Sequence, residues 1–475
     1  MIVQIAWKNV WRNKARSLIV ISSVAVGVFA GVFAMAAINS SIVQRIDAAV
    51  NEELSHIQVN NKEFRSSSDI QDLIPGFDEA ESALKSLQGV KATTGRIIIR
   101  GIASTSAKSS GVEINGIDVE KEKEIFTLRE KVISGTGSYF GADTKFNSVL
   151  IGEKVAKDLN IIRYILSPEA VARLDSLKIP SVVLSKLEPV IGKRFTSDKK
   201  FDKELKKILT SNEIEKYAIL IKETAWSYRE GSKIILTFLD MDNNQTGAGF
   251  RVCGIFRTNN DMFESMSVFV PAAELRALTG MKEGSWHRII ARLDNNDLTD
   301  KVTGEARSAL PGYEVLNWKE ISPDLAMIAD FMGQIYGVFM AIILAALAFG
   351  IVNTMLMAVL ERTKELGMLA AIGMNRKKIF SMIMFESIFL SVVGGFAGMG
   401  IAEAVIAATQ KNGINLMKYS EGMEAFGYSA HLFPTVDAGF FVSTTILIVL
   451  TGILASIYPA RKALKLNPVE AIRTE

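Results

Sequence analysis

Residue types that commonly carry chemistry are few in this chain and widely spaced. The three histidines, His56, His287 and His431, and the single cysteine, Cys253, form no metal-binding or nucleophile-and-base motif. The sequence contains no Gly-x-x-x-x-Gly-Lys-Ser/Thr phosphate-binding loop, no His-Glu-x-x-His and no Gly-x-Ser-x-Gly. We therefore expect a chain that is not an enzyme and binds no metal or cofactor of its own.

Four long runs of uncharged or nearly uncharged residues dominate the 475-residue sequence. They span residues 18–38, 335–360, 379–408 and 438–458, and each reaches the roughly 20 residues with which a helix crosses a bilayer. The first run exceeds the roughly 7 to 15 apolar residues of a signal peptide, so we expect it to remain as a membrane helix. The sequence predicts a membrane protein with four transmembrane α-helices.

Basic residues near the ends of these runs predict the orientation, because Lys and Arg there are retained on the cytoplasmic side. They precede run one, separate runs two and three, and follow run four, so both termini are expected inside and the long segment between runs one and two outside. The net charge of +3 gives no case for nucleic-acid binding. The residues are Lys8, Arg12, Lys14, Arg16, Arg362, Lys364, Arg376, Lys377, Lys378, Arg461, Lys462, Lys465 and Arg473.

Residues 1–16 have the pattern of an amphipathic helix in the inner membrane interface. Val3, Trp7, Val10 and Trp11 share one helical face, and indole rings favour the depth of the lipid headgroups.

The external segment, residues 55–321, predicts an extracytoplasmic α+β domain inserted between membrane helices one and two. Asp78 is expected to cap a helix, and two further helices are expected at 153–159 and 272–279. Residues 161–217 are more polar and are interpreted as an inserted lobe. Strands are expected at 56–60, 96–102, 112–117, 148–151, 233–239, 250–256, 267–270, 288–293 and 313–317.

Two apolar stripes predict stalk helices that continue membrane helices one and two beyond the bilayer. Residues 17–54 and 323–360 are 38 residues each, or about 57 Å as helix against a hydrocarbon core of about 30 Å. Packed stalks could carry a displacement across the membrane. The stripes are Ile42, Ile46, Val50 and Leu54, and Leu325, Ile328, Met332 and Ile335.

Residues 361–378, between runs two and three, predict a short cytoplasmic helix ended by Gly373. Its expected apolar face, Leu366, Leu369 and Ile372, requires a groove in the lipid interface or in a partner.

Polar and small residues inside the apolar runs are interpreted mainly as packing groups. Glu386 is expected to be paired within the bundle or hydrated near the inner surface, because an isolated charge in the membrane is costly. Asn353 and Thr354 could bond across helices, and Gly394 and Gly398 permit close helix approach.

Several of these motifs, in order along the chain, resemble the permeases of the MacB, FtsX and lipoprotein-releasing ABC transporter superfamily. They are Arg12-Asn13-Lys14-Ala15-Arg16, Asn353-Thr354, Glu361 to Gly367 with Ala370-Ala371-Ile372-Gly373, Glu386 with Gly394 to Gly398, Tyr458-Pro459-Ala460-Arg461, and Asn467 to Ala471.

The resemblance implies a permease that moves its external domain in response to ATP hydrolysis by a separate cytoplasmic ABC ATPase dimer, which holds the ATP and Mg. It also implies a second permease subunit, identical or paralogous, and a bacterial inner-membrane location with a periplasmic domain. The residues expected at the ATPase contact are Glu361, Arg362, Lys364, Glu365, Leu366, Gly367, Leu369, Ile372 and Gly373.

Three functions fit the resemblance. The first is release of lipoproteins from the inner membrane toward a periplasmic carrier, in which an apolar cleft between helices one and two shelters the acyl chains. The second is MacB-like export of small molecules or peptides. The third is FtsX-like signalling to a cell-wall hydrolase.

The expected segments follow from these assignments. They are an interfacial helix (1–16), membrane helix one with its stalk (17–54), the periplasmic domain (55–321), the second stalk and membrane helix (322–360), the coupling helix (361–378), membrane helix three (379–408), an outer loop (409–437), membrane helix four (438–458) and a C-terminal helix (459–475).

Overall fold

A computed structural model of the chain describes residues 2–141, 146–436 and 438–464. Its α-helices, in chain order, are α1 (Ile2–Arg12), α2 (Lys14–Ala48), α3 (Phe64–Ser67), α4 (Phe77–Lys85), α5 (Val119–Ile125), α6 (Glu153–Asp158), α7 (Pro168–Ser176), α8 (Ser181–Leu187), α9 (Asp198–Ile208), α10 (Ser211–Ala225), α11 (Asp261–Met266), α12 (Ala272–Thr279), α13 (Thr299–Ala309), α14 (Trp318–Ile321), α15 (Pro323–Glu361), α16 (Thr363–Ala371), α17 (Arg376–Asn412), α18 (Ser420–Glu424) and α19 (Ala438–Leu464).

The strands, in the same order, are β1 (Ile57–Asn60), β2 (Val90–Ser104), β3 (Ser109–Ile117), β4 (Ser148–Gly152), β5 (Ile162–Ile165), β6 (Arg194–Phe195), β7 (Trp226–Tyr228), β8 (Lys233–Leu239), β9 (Gln245–Phe256), β10 (Ser267–Pro271), β11 (Arg288–Leu293), β12 (Glu314–Asn317), β13 (Ile414–Asn415) and β14 (His431–Leu432). A π-helical turn, Ala49–Leu54, follows α2 directly.

The chain divides into two compact units. The helical unit comprises residues 1–45, 324–420 and 428–475, and the sheet unit comprises residues 46–323 and 421–427.

Four helices are long and apolar enough to cross a membrane, namely α2 with the π-helical turn, α15, α17 and α19. Within the helical unit, α17 packs closely on α2. A side-chain carbon on Gly394 of α17 would lie 2.9 Å from the carbonyl oxygen of Ile21, and one on Gly398 would meet that of Ala25. Such small-residue contacts replace the hydrophobic effect as the source of helix association in lipid.

The short helix α1 also packs on α17. Ala6 and Val10 are buried, and the ring of Trp7 lies edge-on to that of Phe389 at a centroid distance of 5.2 Å. The four residues expected to share one apolar face therefore differ in exposure. Val10 faces the protein, whereas Val3, Trp7 and Trp11 are each at least 40% exposed.

The sheet unit is built on a nine-stranded mixed sheet in the order β12-β1-β11-β2-β3-β10-β4-β9-β8. The long strand β2 also pairs with β8, with Gly101 opposite Phe238, so that six strands close into a ring. A side-chain carbon on Gly101 would lie 2.6 Å from the carbonyl oxygen of Thr237. Glycine at this position therefore permits the ring to close.

An inserted lobe of the sheet unit consists of β5, β6 and β7 with α7 to α10. It has its own hydrophobic core, which includes Leu174, Leu187, Phe201 and Ile221. The lobe begins as expected at residue 161 but extends beyond 217, because β7 returns to pair with β5. The polar face recognised in the sequence is the solvent side of α9 and α10.

The structure also corrects the expected ends of three helices. Helix α4 is preceded by Gly76 rather than capped by Asp78, which lies in its first turn. The helix from residue 17 does not remain α-helical to Leu54, because the π-helical turn begins at Ala49.

The fourth membrane helix does not end at residue 458 but continues through Pro459 to Leu464. Proline removes only one backbone hydrogen bond, and neighbouring groups in a membrane bundle compensate for this loss. The C-terminal helix expected around Asn467 lies outside the described residues.

Candidate functional site

The junction between α15 and α16 carries the residues expected to contact an ATPase. Helix α15 ends at Glu361 and α16 starts two residues later, where the Thr363 hydroxyl donates a hydrogen bond to the carbonyl of Leu360 at 2.6 Å. Gly373, at φ +93°, adopts the left-handed conformation that ends the segment.

Charged groups at this junction form a connected cluster. Arg362 donates to Glu386 of α17 at 3.0 Å and to Glu365 at 2.9 Å, and Arg12 of α1 lies 2.6 Å from Glu365. The hydrogen bond from Arg12, followed by that from Arg362, lowers the pKa of Glu365 below its usual value. The cluster thus joins α1, the α15–α16 junction and α17, and Glu386 is paired rather than hydrated.

The other residues expected at the ATPase contact divide into two groups. Leu366 and Gly367 are buried inside the helical unit, and Leu369 is half-buried. Ile372 is 84% exposed. The expected single apolar face is therefore wrong for Leu366, which belongs to the hydrophobic core of the helical unit. Glu361 pairs with Arg16 at 3.2 Å, and Lys364 is exposed.

An apolar groove of about 330 Å³ adjoins α16. Three of the residues that line this groove, Leu369, Ile372 and Gly373, were identified from the sequence. The lining residues on α1 and α17 were not identified, because the sequence does not show which distant segments pack together. The added lining residues are Ile2, Ile5, Met374, Asn375, Lys378 and Met382.

The polar residues of α15 do not bond across helices as expected. Asn353 is exposed, and the Thr354 hydroxyl donates to the carbonyl of Gly350 in its own helix at 2.9 Å. Thr commonly satisfies its hydroxyl in this way inside a helix. The inter-helix hydrogen bond is made instead by Tyr336 of α15 and Thr444 of α19, at 3.0 Å.

The stalk residues belong to both units. Ile42, Leu325, Ile328 and Met332 lie in the helical unit, whereas Ile46, Val50 and Leu54 lie in the sheet unit. Ile42, Val50 and Leu325 are buried, but Ile328 is exposed. Each stripe is therefore only partly covered within this chain.

A second, largely apolar cavity of about 240 Å³ lies within the helical unit between α2, α15 and the start of α19. Met332 was expected in a stalk, and the remaining lining residues were not identified from the sequence. Two of them, Tyr336 and Phe440, are aromatic residues at the starts of apolar runs two and four, and this position was the sequence feature that could have indicated the cavity. The principal lining residues are Met35, Asn39, Met332, Tyr336, Val436 and Phe440.

Two buried histidines have structural roles. His287 accepts a hydrogen bond from the backbone of Ile98 and bonds the carbonyl of Ile70, and His56 accepts from the backbone of Leu293. Burial lowers the pKa of each to about 4. No group of His, Cys, Asp and Glu suited to a metal is present among the described residues.

Comparisons with known proteins show sequence similarity to ABC transporter permeases. Residues 337–468 match the family described as FtsX-like permease C-terminal. The uncharacterized ABC transporter permease YknZ of Bacillus subtilis is 31% identical over 163 residues, which are 34% of this chain and 37% of YknZ. The macrolide export ATP-binding/permease protein MacB of Bdellovibrio bacteriovorus is 32% identical over 165 residues, 34% of this chain and 22% of that protein.

One solved structure that resembles the chain is the periplasmic region of MacB from Actinobacillus actinomycetemcomitans. It is 13% identical, covers 60% of this chain and 97% of its own, and has a TM-score of 0.29. A score at this level does not establish a shared topology. The chain spans between about a fifth and two fifths of the two curated relatives described above.

Four helices long and apolar enough to span a membrane, together with the match over residues 337–468, make the chain similar to multi-pass permeases of the ABC transporter class. Within that class, residues 337–468 are similar to the superfamily that includes MacB and FtsX.

Proposed function

We propose that this chain is the membrane subunit of a MacB-type transporter, in which a separate cytoplasmic ATPase dimer drives two permease subunits, identical or paralogous. The basic residues at the starts of α2 and α17 and the ends of α15 and α19 support a cytoplasmic location for those ends. The sheet unit then lies outside, in the periplasm of a bacterial inner membrane.

The ATPase contact proposed here is the groove beside α16. Ile372 and Leu369 offer it an apolar surface, and Lys364 offers an exposed charge. A partner side chain in this groove would also lie near the Arg12, Arg362, Glu365 and Glu386 cluster, whose ion pairs tie α16 to α1 and α17. Force applied to α16 would therefore reach those helices.

The observation that carries the substrate proposal is the apolar cavity between α2, α15 and α19. Met35, Met332 and Phe440 give it a hydrocarbon lining, while Asn39 supplies a polar group. Such a lining suits an acyl chain, and each CH₂ held in a bilayer contributes about 0.8 kcal/mol, so a lipid-anchored protein needs a sheltered exit. Release of lipoproteins toward a periplasmic carrier is the first candidate.

Export of a small amphipathic molecule is the second candidate, and it is favoured by the similarity to the macrolide export protein MacB. The same largely apolar lining with a few polar groups suits both substrates.

A photo-crosslinking amino acid at Met332, inside the cavity, tests this proposal, with Val338 as the matched control because it is 63% exposed on the same helix. In cells, Met332 should crosslink to an acylated protein, and ATP turnover should reduce the yield. Crosslinks to a small molecule would favour export. Equal labelling from both positions would contradict substrate binding in the cavity.

A further inference from the structure

One face of the nine-stranded sheet carries an unusual row of side chains, set by the strand register. Asn60 of β1 lies opposite Glu314 of β12 and opposite Arg288 of β11, and Arg288 lies opposite Arg96 of β2. Directly paired residues project to the same side of a sheet. Arg288 and Arg96 are thus direct neighbours, and their positive charges repel each other unless each is compensated by a negative charge.

Only one of these arginines has a carboxylate partner. Arg96 is buried and paired with Glu122, and its guanidinium lies over the ring of Phe126. Among residues 2–141, 146–436 and 438–464, no carboxylate oxygen lies within 4.0 Å of Arg288, whose Nε donates a hydrogen bond to the amide oxygen of Asn60 at 2.8 Å. Asn60 is itself 2% exposed, so it holds the guanidinium in a fixed orientation.

Arg288 lines a polar pocket of about 160 Å³ together with two further arginines. Arg100 lies on β2 four residues beyond Arg96, on the same face of the strand, and Arg65 comes from the short helix α3. Both are exposed, so the pocket opens to solvent. The other lining residues are Phe64, Ser68, Ile98 and Glu113.

The acids near the pocket leave an excess of positive charge. Glu113 is the only carboxylate among the lining residues that the structure describes, and Glu314 lies 3.9 Å from Arg65. Three guanidinium groups thus face two carboxylates. Burial, only partly opposed by Glu113, lowers the pKa of Arg288 to about 10, as expected for a cation with incomplete compensation.

We propose that this pocket binds a phosphate group, either free or as the ester of a small molecule or lipid headgroup. The three arginines come from three elements, β2, β11 and α3, and line one small pocket, so a single anion there is within reach of more than one guanidinium. Guanidinium groups bind phosphate through charge-assisted pairs of hydrogen bonds. This site does not depend on the proposed transport function.

Isothermal titration of the purified full chain in detergent with inorganic phosphate tests the proposal. Arg288→Gln and Arg100→Gln should each weaken phosphate binding about tenfold, the effect of losing one charge-assisted interaction. Arg129→Gln is the matched control, because Arg129 is an exposed arginine of the same unit outside the pocket, and it should bind as the parent does. Arg100 is exposed, so its variant remains informative if Arg288→Gln lowers the stability of the sheet unit.

Two further titrations identify the source and geometry of the ligand. Tighter binding of glycerol 3-phosphate than of inorganic phosphate would support a headgroup ester, and equal binding would support free phosphate. Acetate should bind more weakly than either. Acetate binding as tight as phosphate, absence of saturable phosphate binding, or unchanged affinity in both Arg288→Gln and Arg100→Gln would overturn the proposal.

Discussion

The guanidinium of Arg362 lies 3.0 Å from the carboxylate of Glu386, and both side chains are largely shielded from solvent within the helical unit. Because Arg362 also bonds Glu365, one cation serves two acids on different helices. This pairing explains how a carboxylate is accommodated within the third apolar run, where an unpaired charge would be costly.

Replacement of Glu386 by Leu should destabilise the helical unit by about 3 kcal/mol, because it leaves the half-buried Arg362 with only Glu365 as carboxylate partner. Thermal unfolding of the purified protein in detergent measures the loss. The double variant Arg362→Met with Glu386→Leu should recover most of the stability, since no uncompensated charge remains. A double variant that is no more stable than Glu386→Leu would show that the two residues do not act as a pair.

If the proposed ATPase contact holds, replacement of Ile372 by Asp should reduce stimulation of the proposed ATPase partner without unfolding the helical unit, because this side chain is 84% exposed beside the α16 groove. ATP hydrolysis by the reconstituted complex, together with thermal unfolding, separates the two effects.

Leu366→Asp provides the contrast, because Leu366 is 5% exposed and the substitution would bury a charge. It should lower the unfolding temperature as well as the stimulation of ATP hydrolysis. Normal ATPase stimulation in Ile372→Asp would exclude the groove as the contact surface.

Substitution of Gly398 by Ala should separate α17 from α2, since the added methyl group would meet the backbone of Ala25. We expect a loss of about 1 to 3 kcal/mol, the usual cost of overpacking a close contact. Gly400→Ala is the matched control two residues along, where a methyl group meets nothing within 4 Å. Equal unfolding temperatures for the two variants would refute this packing.

The carboxyl of Glu264 in the sheet unit should make stability depend on pH. The side chain is 1% exposed, and burial raises its pKa to about 7. The folded state therefore binds the proton more tightly than the unfolded state, and the stabilising contribution is complete below about pH 4.5 and lost as the pH rises through about 7.

Glu264→Gln should raise stability at pH 8 by at most about 3 kcal/mol and have little effect at pH 4.5. Unfolding of the full chain by heat at the two pH values measures the difference, with Glu283→Gln, an exposed loop residue, as the control. A Gln variant with the same stability change at both pH values would contradict the raised pKa.

Local patterns in the sequence predicted many elements but not their partners. The strands at 233–239 and 288–293 and the helix at 272–279 coincide with β8, β11 and α12, because alternating apolar residues and a glycine end signal are local features. The closure of β2 on β8 was not predicted, since it depends on pairing between residues more than 130 positions apart.

The candidate sites show the same division. The sequence identified Glu386 as a residue needing a partner, but only the fold brings Arg362 to it. The exposed position of Asn353 and the buried position of Leu366 were likewise set by tertiary packing. The arginine pocket had no sequence signal, because Arg65, Arg100 and Arg288 come from separate elements.

The inserted lobe leaves and rejoins the sheet unit at neighbouring points, since the backbone N–H of Arg229 donates to the carbonyl of Ile161 at 3.2 Å. Evolution could therefore add, exchange or delete this module with little disturbance of the fold that carries it. Relatives that share the same membrane helices can differ in what they present outside the cell membrane.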